Sequence, residues 1–174
     1  MRMNFAILMF GIVVLISSCS DTQNKQLKDP FIYSNNFESY VGWTGNSYPN
    51  VRKCNAASGK YACLISKEFP YSLGFEIKIA DIGKVIDKVI VSNSYFNDNL
   101  KEPCKMVCEI RNDADSVIFW QGEIMNKDDE RSQWKNFECT FKIPQNLPEN
   151  SKIRFYAFHY GDGRFLIDDF TIHF

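Results

Sequence analysis

Past residue 30 the apolar side chains recur at every second position rather than every third or fourth, and this alternation restricts the fold more than any other feature. Phe75, Ile77 and Ile79 alternate with Glu76, Lys78 and Ala80; Phe137, Cys139, Phe141 and Ile143 alternate with Asn136, Glu138, Thr140 and Lys142. An extended chain sends successive side chains to opposite faces, so each such segment buries one face and wets the other. Clusters of Asn, Asp, Gly, Ser and Pro interrupt the pattern at intervals of roughly ten residues. The same reading predicts further strands at 60–66, 85–93, 104–111, 116–125, 152–160 and 164–174. So many short strands in one domain predict an all-β fold, a two-sheet antiparallel β-sandwich of the jelly-roll type. The turn Gly161-Asp162-Gly163 predicts that the final strand, Phe165 to Phe174, pairs back as a hairpin.

The first thirty residues follow a different rule. Met1-Arg2-Met3-Asn4 is a short positive start, and Phe5 to Ile16 is an apolar run interrupted by Gly11 and too short for a comfortable permanent membrane span. The run ends Leu15-Ile16-Ser17-Ser18-Cys19, an aliphatic residue, two small residues and a thiol, which resembles the lipobox of bacterial lipoproteins. That resemblance implies a signal peptide over residues 1–18 and a lipid-bearing, palmitoylated Cys19 at the mature N-terminus. It also implies an address in the cell envelope, with Ser20 rather than aspartate favouring the outer membrane. Residues 19–30 hold a single large apolar residue, Leu27, and read as a flexible tether, which leaves 31–174 for the sandwich domain. Acyl chains hold a protein on a membrane without any spanning helix.

Charge excludes one class of partner. Twenty basic and twenty-one acidic residues leave a net charge of −1, with no basic block to neutralise phosphates, so nucleic acid is not expected as a ligand. Six cysteines less Cys19 leave five, an odd number, so a monomer keeps at least one free thiol. A Cys54–Cys63 bridge is one open pairing; Cys104 and Cys108 stand about 13 Å apart along an extended chain, too far for a direct bridge. Cys139 reads as a small core hydrophobe. No G-x-S-x-G, H-E-x-x-H or phosphate-loop motif occurs, and His159 and His173 lie in no recognisable catalytic setting, so no enzyme is expected. A glycosidase pair could in principle be assembled from the loop acids Asp113, Asp115, Glu123, Asp128, Asp129 and Glu130, but such acids are common in any sandwich.

Four short motifs stand in order: Asn36-Phe37-Glu38 with Gly42-Trp43; Ser58-Gly59-Lys60-Tyr61-Ala62; Trp134 to Phe141; and Phe165-Leu166-Ile167-Asp168-Asp169-Phe170-Thr171-Ile172. The ordered set resembles the β-jelly-roll carbohydrate-binding modules of the galactose-binding-like superfamily. The resemblance implies a sandwich with adjacent first and last strands, glycan binding and one structural calcium ion. Side-chain parity adds to the calcium expectation: counting back from Phe170, Asp168 points inward, where a carboxylate needs a counter-charge. Asp168, Glu38 and main-chain carbonyls around Lys60 are the expected ligands.

Sugar rings stack their C–H faces on aromatic rings while their hydroxyls need polar partners nearby. On the strand 152–160, Ile153, Phe155 and Ala157 make a core face, which puts Arg154, Tyr156, Phe158 and Tyr160 on the other. Trp120 is the second candidate, with Val117 and Phe119 filling the core beneath it. Trp43 and Trp134 are expected to pack, and 95–99 to form either a rim loop or a plain turn. The functional expectation is a non-catalytic, lipid-anchored envelope protein that binds a polysaccharide or oligosaccharide beside envelope proteins of a glycan-uptake system. The alternative is a structural or protein-protein interaction lipoprotein of the same fold without a glycan ligand.

Overall fold

The alternating segments become strands, and their burial follows the alternation. The computed structural model describes residues 31–39, 43, 48–99, 102–127 and 131–174; Cys19, the signal-peptide and tether readings and Asp128, Asp129 and Glu130 lie outside them. Among the described residues ten strands form: β1 (Ile32–Asn35), β2 (Val51–Lys53), β3 (Tyr61–Ser66), β4 (Phe75–Lys78), β5 (Lys88–Asn97), β6 (Lys105–Arg111), β7 (Val117–Ile124), β8 (Trp134–Lys142), β9 (Lys152–Phe158) and β10 (Arg164–His173). One sheet runs β2-β3-β10-β5-β8, with β1 also paired to β10; the other runs β4-β9-β6-β7, and every pairing is antiparallel. This is the expected two-sheet jelly-roll sandwich.

Between the sheets lies a core rich in phenylalanine, in which Phe141, Phe155, Phe165 and Phe170 are fully buried. Phe141 of one sheet and Phe155 of the other meet at 6.1 Å between ring centroids, and Phe165 stacks on Tyr95 at 5.3 Å. Trp43 is buried against Phe75 and Phe170, and Trp134 packs against Phe96 while its Nε1 donates to the Asn55 carbonyl. Most of the aromatic content is spent on this interior, where each ring removes 150–250 Å² from water.

Three expectations need correction. The Gly161–Gly163 turn does not make a hairpin: β9 pairs with β4 and β6, whereas β10 pairs with β1, β3 and β5, so the chain changes sheet there. Left-handed glycines, φ +153° at Gly161 and +113° at Gly163, let it do so. Val117 does not fill the core but is 48% exposed, because a bulge at Ile110/Arg111 resets the register with β7. Tyr95, Phe96 and Asn97 belong to β5 rather than to a rim loop, and Tyr95 is buried.

A second bulge interrupts β10 between Asp168 and Thr171. Phe165 and Ile167 point inward before it and Phe170 and Ile172 after it, so the phase slips by one residue and Asp169 takes a left-handed φ of +49°. Asp168 is consequently buried, as parity predicts, but as part of the bulge. At the far end of β10, Lys84 holds both ends of the domain: its Nζ donates to the Phe174 main-chain oxygen at 2.7 Å and sits 3.8 Å from the Phe31 ring centroid.

All five described cysteines are free thiols, so Cys54 and Cys63 are not bridged. Burial pushes the Cys63 and Cys139 thiols up to about 12 and raises those of Cys54, Cys104 and Cys108. In a protein starting at Ser20, Ellman's reagent at pH 8 is expected to leave the buried Cys63, Cys104 and Cys108 unreacted until denaturant is added, whereupon five thiols in all titrate. A native burst of more than two thiols would contradict this burial.

Candidate functional site

The outward face of the four-stranded sheet carries the sequence candidates, ordered by strand register. One row across the sheet is Glu76, Arg154, Glu109 and Trp120, each the Cα partner of the next. The adjacent row is Tyr156, Val107 and Gly122, and the next is Phe158, Lys105 and Ile124. Tyr71, outside the named strands, bridges to Phe158 and stacks on its ring at 5.0 Å, and it meets Tyr156 edge-on at 5.7 Å. Arg154, Tyr156, Phe158 and Trp120 therefore do share one face. Tyr160 does not: β9 ends at Phe158, and Tyr160 stands 85% exposed in the connection to β10.

This face has two halves. Tyr71, Phe158, Tyr156 and Trp120 form the aromatic half, with Trp120 46% and Tyr71 49% exposed. Beneath them Val107 is fully buried although it stands outside the core cluster, so the rings roof their own sheet. The other half is a chain of ion pairs. Arg154 Nε meets Glu76, Lys152 Nζ lies 3.5 Å from Glu76, and Arg111 reaches Glu109 at 2.5 Å and Asp115 at 3.1 Å. Three carboxylates thus face three cations.

The two halves join at Glu109, which is 5% exposed. Its Oε2 accepts the Tyr156 hydroxyl at 2.9 Å while its Oε1 accepts Arg111 Nε. Desolvation first, and then the Glu109 charge, raises the Tyr156 phenol well above its ordinary value, so it stays protonated and donates. Tyr71, Glu76 and Glu109 are the residues that sequence reasoning missed. Tyr71 follows a proline outside any alternating run, and the two glutamates look like ordinary wet-face residues until register puts arginines beside them.

The expected calcium ligands converge elsewhere, on the loop before β3. Asp168 Oδ2 accepts Ser58 N–H at 2.9 Å, its Oδ1 accepts Asp169 N–H, and Asp169 Oδ1 accepts the Ser58 hydroxyl at 2.5 Å. Glu38 Oε1 accepts the N–H groups of Lys60 and Tyr61 at 2.7 and 2.8 Å. Lys60 is therefore beside Glu38, but the contact is through its N–H, and its carbonyl accepts Cys54 N–H at 3.0 Å. Burial pushes the Asp168 carboxyl up to about 6, against the opposing pull of these N–H donors. Among the described residues no three His, Cys, Asp or Glu side chains form a complete metal cage.

Gly59 sits under this anchor with φ +63°, and a Cβ there would lie 2.5 Å from Glu38 Oε1. Gly59→Ala is expected to cost about 1–2 kcal/mol, from left-handed strain and displacement of the carboxylate. A denaturant midpoint equal to wild type would contradict this account.

No protein-family model and no curated protein matches the chain. Solved structures do. The tandem CBM22-1–CBM22-2 domain of Paenibacillus barcinonensis Xyn10C matches with a TM-score of 0.59 at 14% identity, over 86% of this chain and 51% of that one, so the chain spans about half of the tandem. The C-terminal family 22 carbohydrate-binding module of Clostridium thermocellum Xyn10B matches with a TM-score of 0.54 at 14% identity, over 81% and 91%. The CBM22-1 xylan-binding domain of P. barcinonensis Xyn10C matches with a TM-score of 0.50 at 16% identity, over 81% and 92%. The chain has the jelly-roll sandwich fold of these carbohydrate-binding modules.

Proposed function

We propose that the outer face of the four-stranded sheet binds a neutral glycan, and that the chain is a non-catalytic carbohydrate-binding protein. The observation that carries this is the pairing of half-exposed rings, Trp120 and Tyr71, with polar groups fixed in place by one another. A ring over a pyranose removes apolar C–H surface from water, and preordered charged groups offer hydrogen bonds without a large entropy loss. Because each arginine already faces a carboxylate, an acidic sugar would have to break an ion pair, whereas hydroxyls can join it. The structural neighbours include xylan-binding domains, which supports the reading.

An immobilised array of xylo-, gluco-, manno- and galacto-oligosaccharides tests it. Retention on at least one neutral series, and none on uronic-acid polymers, is expected. No retention on any glycan would overturn the proposal. It would then favour the protein-partner reading, which has its own support in the apolar edge of β7, where Val117 and Ile118 are 48% and 42% exposed.

A structural calcium ion belongs to the same proposal. Glu38, Asp168 and Asp169 spend carboxylate oxygens on N–H and O–H groups of residues 58–61 and form no ready three-carboxylate cage, so a hard cation there would have to displace or share these bonds and draw on main-chain carbonyls. Bound there, the ion would stabilise the loop and take no part in glycan contact. The lipobox-like Cys19 extends the proposal to a lipid anchor on the cell envelope, tested by intact-mass measurement of membrane-extracted protein with Cys19→Ala as control; an unmodified, soluble wild-type chain would refute the anchor.

A further inference from the structure

Trp120 is useful as a platform only if its ring lies along the sheet. Nothing in a tryptophan's own rotamers makes it do so, and the next outward position on β7, two residues on, is where it must lie. That position is Gly122. A Cβ built on Gly122 would stand 2.8 Å from Trp120 Cη2 and 3.4 Å from Cζ2, so the six-membered ring rests directly over the glycine. The same Cβ would stand 3.1 Å from Lys105 Cδ, and Lys105 Nζ lies 5.6 Å from the indole centroid. Gly122 has no left-handed φ, so its backbone does not call for glycine. Glycine in a strand interior weakens the strand and commonly marks a close approach by another group. Here the approaching group is the Trp120 ring.

The partner strand supplies the second restraint. Gly122 pairs with Val107, which pairs with Tyr156, so indole and phenol lie side by side over the valine. Trp120 lies near enough to the Tyr156 phenol to oppose slightly the rise that burial and Glu109 impose on it, and the Tyr156 hydroxyl donates to Glu109 Oε2 at 2.9 Å. Glu109 is fixed in turn by Arg111.

We propose that Gly122 and Glu109 are positioning residues of the glycan face: Gly122 supplies the space that lays the Trp120 ring flat, and Glu109 fixes the Tyr156 hydroxyl on the strand beyond Val107, next to that ring. This rests on the proposed glycan reading for its purpose but not for its geometry. A Cβ at 122 displaces the far end of a side chain rather than backbone, so Gly122→Ala moves the ring and spares the fold.

The test uses full-length protein and has two arms. In the first, without ligand, the Trp120 indole ¹⁵N–¹H resonance is assigned by its loss in Trp120→Phe. It is expected to shift in Gly122→Ala and Glu109→Ala, to stay near its native position in Glu109→Gln, which keeps an acceptor for Tyr156, and melting is expected to change little in Gly122→Ala. In the second, the oligosaccharide series retained by wild type is titrated, with roughly tenfold loss expected for Gly122→Ala and Glu109→Ala and within threefold of wild type for Glu109→Gln. An unmoved indole resonance in Gly122→Ala, or equal losses in Glu109→Gln and Glu109→Ala, would overturn the positioning role. A wild type that binds no glycan, with the resonance shifts as expected, would sink the glycan reading and leave the positioning geometry standing.

Discussion

Trp120→Ala combined with Tyr156→Ala is expected to weaken binding to the array-positive glycan by at least ~100-fold while lowering Tm by only a few degrees. Central aromatic residues of a binding face each contribute on the order of 2 kcal/mol or more, and tenfold in affinity is about 1.4 kcal/mol. Two such losses would multiply to about a thousandfold if independent. The two rings flank the same Val107, so part of the loss is common to both and ~100-fold is the safer figure. The loss of stability is confined to uncovering Val107 and to one hydrogen bond to Glu109, because both side chains stand outside the core cluster. Tyr160→Ala is the control. It lies beyond the end of β9 and is 85% exposed, so its removal is expected to alter affinity less than twofold. Retention of binding within threefold by the double variant, measured by isothermal titration, would move the site off this face.

The second large effect concerns Asp168 and has a sign that depends on metal. In chelator, the folded state holds the Asp168 proton more tightly than the unfolded chain, since its carboxyl is pushed from 3.8 up to about 6. Stability therefore falls as pH rises between those values, and the fully charged form above pH 6 is the weaker one. The full shift corresponds to no more than about 3 kcal/mol, and other titrating groups overlie it. Metal-free wild type is expected to melt several degrees higher at pH 5 than at pH 7.5 relative to Asp168→Asn, which lacks the titration. A calcium ion favours the charged carboxylate, so added calcium is expected to raise Tm most at pH 7.5 and to erase that difference. Wild type and Asp168→Asn with the same pH dependence in chelator would remove Asp168 as its source. Calcium without effect on either would remove the ion.

Both results bear on what the sequence reveals. Alternation marks the long strands because each is wet on one side and buried on the other, and β6, β7, β8 and β9 lie close to where it places them. It misses β1 and β2, because Ile32-Tyr33-Ser34-Asn35 and Val51-Arg52-Lys53 do not alternate apolar with polar side chains. It also misses bulges, since one extra residue shifts the phase without leaving a local mark. Val117 was misplaced by one bulge, whereas Asp168 came out correctly buried across another. The GDG turn looks like a hairpin because a sheet-changing corner needs the same glycines. On the outer face of the four-stranded sheet, Arg154, Tyr156, Phe158 and Trp120 are legible because aromatic rings on a wet face are unusual. Their partners Glu76, Glu109 and Tyr71 are not, because what makes them part of the face is strand register, which brings together residues 11 to 87 positions apart.

The pairing of β1 with β10 also sets how the domain bears load. Its four residue pairs run antiparallel from Ile32–His173 to Asn35–Phe170, and Phe174 N–H reaches back to the Phe31 carbonyl. Tension applied through the chain before Ile32, against a grip on the ring-bearing face, pulls β1 lengthwise and strains all of these bonds in parallel. Tension applied across both chain ends instead opens them one after another, beginning at the Lys84 clamp. The sandwich is thus mechanically directional, stronger as the head of a leash than as a link in a chain.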